Sequence, residues 1–164
     1  MKPVSRTNLA MRVALATMIV LLAGASPAQP SGKLAPLPKV FDVWVKTTVP
    51  GSTVSAAYMH IKSATPMKLV KVESPAAGIV EIHDMRMNAG VMEMNAMDAV
   101  DIAANTLVEL KPGGMHVMLM KVKKPINKGD KVPLKLTFEI AGKKPVVIEL
   151  DAIAQEKNAA GHKH

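Results

Sequence analysis

The sequence predicts an all-β sandwich, and three observations predict it. From Val40 onward the chain runs in short segments in which apolar and polar residues alternate. The clearest is "VPLKLTFEI", where Val132, Leu134, Leu136, Phe138 and Ile140 point one way and Lys135, Thr137 and Glu139 the other. Turn signals recur between these segments: "PGS" at Pro50, "SPAAG" at Ser74, "NAG" at Asn88, "KPGG" at Lys111 and "NKGD" at Asn127. No stretch after Val40 carries a helical period. Seven to nine short strands joined by regular turns imply a sandwich with Greek-key links.

The elements follow in chain order. Lys2, Arg6 and Arg12 precede an apolar run from Val13 to Ala23, which is too short to span a bilayer. Small residues follow it, and residues 1–28 read as a secretory signal peptide. Residues 29–39 form a Pro-rich linker, with Pro27 just ahead of it and Pro30, Pro36 and Pro38 within it. Residues 40–153 form the globular domain. Its strands are expected at Phe41 to Thr48, Thr53 to Lys62, Met67 to Glu73, Ile79 to Met85, Val91 to Met97, Thr106 to Leu110 and Met115 to Lys121, and then in "VPLKLTFEI" and "VVIELDA". "AGKKP" (Ala141 to Pro145) turns between the last two. Residues 154–164 read as a flexible tail ending in His162 and His164.

Composition excludes several functions. The formal charge is +8, and loss of the three basic residues of the leader leaves +5, carried by scattered lysines. One Trp, one Tyr and two Phe give nucleic-acid bases few stacking platforms, so nucleic-acid binding is not expected. The cleaved chain carries no membrane span. The chain has no cysteine, so an exported domain must be held by packing alone. Any metal chemistry must then use His, Met, Asp or Glu. No spacing pairs a nucleophile with a base, and no enzymatic activity is expected.

Eight of the 13 methionines lie between Met85 and Met120. In "MHVMLMK", His116, Met118 and Met120 share one strand face, and Val117 with Leu119 take the core face. In "IVEIHDM", Val80 and Ile82 face the core while His83 and Met85 face away. Met94 follows the "NAG" turn, which could return it toward His83. Imidazole nitrogens with neutral thioethers suit Cu(I) and suit Zn²⁺, Mg²⁺ or Ca²⁺ poorly. A blue-copper centre needs a Cys ligand, so that form of electron transfer is excluded.

The spacing is specific. His83 is followed by ten residues and Met94, then by twenty-one residues and His116, with Met118 two further on. In this the chain resembles the periplasmic Cu(I) chaperones of the PCuAC (DUF461) family. "AAYMHIKS", "VEIHDM", "PGGMHVMLM" and "GDKVPLKLTFE" share in the resemblance. Met115 departs from it, standing where the family often has an aromatic residue. The resemblance implies a cupredoxin-like Greek-key β-sandwich and a Cu(I) site made of His83, Met94, His116 and Met118. It also implies a periplasmic location and delivery of copper to the CuA centre of cytochrome c oxidase, alongside other periplasmic copper carriers. A copper-sequestering protein without a dedicated recipient, and a metal-free β-sandwich interaction module, are the alternatives. Met85, Met87, Met92 and Met120 are read as packing or lining the site, and His60 as an ordinary strand histidine. Asp84 is on the wrong parity to orient His83. A His-x-His tail at His162 and His164 can bind Cu(II) weakly.

Overall fold

The computed structural model describes residues 37–156. The expected signal peptide, most of the linker and the tail histidines His162 and His164 lie outside these residues. Within them the chain is all-β, with ten strands: β1 (Lys39–Lys46), β2 (Val54–Lys62), β3 (Met67–Glu73), β4 (Ala77–Asn88), β5 (Val91–Met97), β6 (Val100–Ile102), β7 (Leu107–Leu110), β8 (His116–Val122), β9 (Lys131–Glu139) and β10 (Val146–Gln155). One element was not expected. β6 is the three-residue "VDI", too short to show an alternating pattern, and it forms by pairing with β3. β1 begins at Lys39, within the expected linker. β10 runs through Ala154 and Gln155, which alternation alone assigned to the tail. Ala154 is buried and pairs with Val45, so the partner strand holds it in the sheet.

The strands follow one hydrogen-bonded order, β5-β4-β8-β2-β1-β10-β9-β3-β6, with β7 on the other part of β2. Neighbours are antiparallel except β1 and β10, which run parallel and join the two halves of the sandwich. The chain crosses between halves at β2 to β3, β3 to β4, β5 to β6, β6 to β7 and β8 to β9. The two halves close on one core. Ile82, Val117 and Leu119 from one side meet Leu69, Leu136 and Phe138 from the other. Each such side chain contributes about 1.5–3 kcal/mol by leaving water. β9 alternates buried and exposed residues along almost its whole length, as its sequence pattern requires.

The β4–β5 hairpin is closed by a two-residue turn. Ala89 (φ 47°) and Gly90 (φ 83°) both adopt positive φ, between the paired residues Asn88 and Val91. Positive φ at both central positions is the type I′ requirement, and the twist of that turn matches the strands. Glycine meets it freely, whereas alanine pays about 1–2 kcal/mol in this region. The turn fixes the register, and the register decides which side chains share a face.

Candidate metal site on the outer face of β4, β5 and β8

Residues opposite one another in an antiparallel pair share a face. His83 on β4 is opposite His116 on β8, and Glu81 is opposite Met118. On the other side of β4, Met85 is opposite Met94, Met87 opposite Met92, and His83 opposite Ala96. Six of the eight clustered methionines therefore share one face with both histidines: Met85, Met87, Met92, Met94, Met118 and Met120. Met97 is opposite Ile82 and packs against the core, and Met115 lies in the turn before β8.

The two imidazole rings lie with centroids 6.0 Å apart. Met94 and Met118 are each one step off the residue directly opposite His83, on its two flanking strands. Such diagonal neighbours stand about 7–8 Å apart, within reach of a flexible thioether. The structure thus brings His83, Met94, His116 and Met118 onto one face. Small neighbours leave them room: Ala96 is opposite His83 and Ala56 opposite Met118.

Parity alone would leave His116 in solvent, yet it is 3% exposed. The cover comes from β2. The Tyr58 ring lies 6.3 Å from His116, and Trp44 of β1 lies 4.4 Å from Tyr58. The only Trp and the only Tyr of the chain thus form a row of rings that ends at the two histidines. Burial raises the Tyr58 phenol above its ordinary pKa of 10.0, because phenolate is poorly solvated there. Neither ring was singled out by sequence reasoning, because only strand pairing brings β2 beside β8.

Hydrogen bonds assign the ring nitrogens. His116 Nδ1 is 2.9 Å from the carbonyl oxygen of Gly114. That oxygen only accepts, so Nδ1 carries the hydrogen and Nε2 keeps its lone pair. His83 Nε2 is 2.8 Å from Glu81 Oε2, and an ionised carboxylate likewise accepts. His83 Nδ1 then holds the lone pair, and it is buried without a hydrogen-bond partner. A buried polar atom left so is costly unless something binds it. Glu81 therefore orients His83 in the way carboxylates orient metal-binding histidines. It was legible at i−2 on the same parity but was not singled out. Asp84 is on the opposite face, where it pairs with Arg86.

His60 lies elsewhere on β2. Its Nδ1 is 3.0 Å from Asp42 and its Nε2 3.6 Å from Glu109, so both nitrogens are engaged by acidic partners. Among the described residues, no group of three or more His, Cys, Asp or Glu side chains could hold a metal ion. Hard cations need clustered carboxylate and carbonyl oxygens. The patch instead offers two imidazole lone pairs ringed by thioethers, a set suited to a soft monovalent cation.

The model of the LpqE-like family, described as "Putative lipoprotein LpqE-like", matches residues 39–150. The chain belongs to the LpqE-like family. A relative from Leifsonia xyli subsp. xyli (strain CTCB07), "Putative lipoprotein Lxx21020", is 34% identical over 125 residues, covering 74% of each chain. Among solved structures, the copper-bound PCuAC domain from PmoF2 is 25% identical with a TM-score of 0.60, covering 75% of this chain and 97% of that one. The apo PCuAC domain from PmoF1 is 30% identical with a TM-score of 0.57, covering 73% of this chain and 94% of that one. The fold of this LpqE-like chain is cupredoxin-like, as the resemblance implied.

Proposed function

We propose that this LpqE-like protein is a Cu(I) metallochaperone of the PCuAC type, working in the cell envelope and, more finely, in the periplasm. Residues 1–28 act as its signal peptide and residues 29–39 as a linker. Residues 40–153 are the copper-binding domain and 154–164 a tail. Copper is cargo here, held by His83, Met94, His116 and Met118 and passed to a recipient, the CuA centre of cytochrome c oxidase. The tail pair His162 and His164 would take Cu(II) weakly.

One observation carries the reading. Two imidazoles sit side by side, each with one nitrogen committed to a hydrogen bond and one lone pair free, in a patch whose other donors, apart from the Glu81 carboxylate that holds His83, are sulfur. The likeness to a copper-bound domain supports it. The site is graded: His116 is almost fully buried and Met94 is 44% exposed. Cargo can therefore be held at the inner end and reached by an incoming ligand at the outer end.

The test has two stages. Anaerobic titration against a Cu(I) chelator should show one tightly held Cu(I) and little competition from Zn²⁺. The loaded protein mixed with an apo CuA domain should then give up its copper. Absence of Cu(I) binding would remove the metal reading. Tight binding without transfer would favour the sequestering alternative.

A further inference from the structure

The β4–β5 hairpin has two unlike faces. One is polar: Arg86 pairs with Asp84, and Asn88 Nδ2 donates to Glu93 Oε1 at 3.1 Å. The other carries Met85, Met87, Met92 and Met94 in two cross-strand pairs. Met87 is 65% exposed and Met92 56% exposed, so these side chains do not hold the core together. A solvated strand face is ordinarily polar, and an apolar one would more readily use β-branched residues. Four thioethers at consecutive same-face positions therefore need a reason other than packing.

We propose that Met85, Met87 and Met92 form a second, outer Cu(I) site built from thioethers alone, which loads and unloads the inner site through Met94. The choice of Cu(I) rests on the carrier reading above. The geometry is independent of that reading. The type I′ turn locks the register, so Met87 and Met92 stand directly opposite each other, about 5 Å apart. Met85 follows two residues, about 7 Å, along β4, next to Met94. Three flexible side chains on adjacent positions can turn their sulfurs to one ion. This face offers no carboxylate or imidazole before His83, so the outer set selects a soft ion and excludes Zn²⁺. Lacking nitrogen ligands, it binds more weakly than the inner set. The step between the sites is ligand exchange without redox: a Met94 sulfur–copper bond forms as a Met85 sulfur leaves, and the ion remains Cu(I).

The test uses the mature protein labelled with carbon-13 in the methionine methyl groups, titrated anaerobically with Cu(I) and, separately, with Ag(I) as a diamagnetic soft ion. One equivalent should move the Met94 and Met118 methyls, and a second should move those of Met85, Met87 and Met92. In the double variant Met87→Leu/Met92→Leu, affinity for the second equivalent should fall about tenfold or more, with the first unchanged. In His83→Ala/His116→Ala, the tight equivalent should be lost while the Met87 and Met92 methyls still move. That result would support the outer site, whereas shifts at Met87 and Met92 in a parent that shows no inner site would sink the chaperone reading and the relay through Met94 while leaving the outer site itself standing. Methyls of Met87 and Met92 that stay fixed at two equivalents would overturn the outer site and leave this face as an apolar docking surface. So would a second equivalent that the double variant binds as tightly as the parent.

Discussion

Two hairpins of this molecule share a local design and put it to opposite use. In β9–β10 the apolar face of β9 consists of Val132, Leu134, Leu136 and Phe138, none more than 3% exposed. In β4–β5 the apolar face consists of methionines, three of which are between 44% and 65% exposed. Both alternate with period two, and both have charged residues on the other side. What differs is the sheet's third dimension. β9 lies between β10 and β3 and faces the opposing half of the sandwich. β5 is an edge strand, and its hairpin reaches beyond the core. Aliphatic side chains do only one thing there, which is to leave water. A thioether does that too, and also offers a lone pair.

The comparison can be broken by three substitutions or titrations, in falling order of effect. Leu136→Ala should cost the apo fold about 2–5 kcal/mol in denaturant melts, since Leu136 is fully buried. Under conditions where it stays folded, its Cu(I) affinity should match the parent. A large change in copper affinity would show that the two hairpins are not separable.

Met118→Leu and Met94→Leu invert that pattern. Leucine conserves volume, so the apo fold should lose under about 1.5 kcal/mol. Leucine lacks a lone pair, so Cu(I) affinity should fall at least about tenfold, equivalent to about 1.4 kcal/mol. Met67→Leu, buried on β3, is the control and should leave copper binding unaltered. Parental affinity in both Met118→Leu and Met94→Leu would mean that these sulfurs are filler, like the apolar face of β9.

The smallest effect concerns the cover over His116. Tyr58 is the only tyrosine, so its ultraviolet titration is unambiguous. Burial raises its pKa, so the native chain should ionise at higher pH than the chain unfolded in guanidinium. In the window between the two values the folded state keeps a proton that the unfolded state has lost. Stability therefore falls as pH rises through that window. Coincident titration curves would show a solvated ring, and Tyr58 would not be what shields His116 from water.

Much of this was legible along the chain, because alternation, turn residues and donor type are local. Nine of the strands show in the pattern, and β3 and β5 fall at the expected limits. The outward parity of His83, Met118 and Met120 and the inward parity of Val117 and Leu119 follow from a two-residue repeat. The "NAG" turn needs only positive φ at two adjacent residues. Even Glu81 was within reach, two residues before His83 on the same face.

Tertiary structure decided the rest, because strand neighbours are chosen by contacts remote in sequence. β8 lies between β4 and β2, and that placement sets His83 opposite His116 and brings Tyr58 beside a histidine whose parity pointed to water. β3 makes a strand of "VDI", and β1 draws Ala154 into the sheet. Face was fixed by sequence through the backbone's own period. Burial and proximity were not, because they depend on what packs above the face, and no local pattern encodes that.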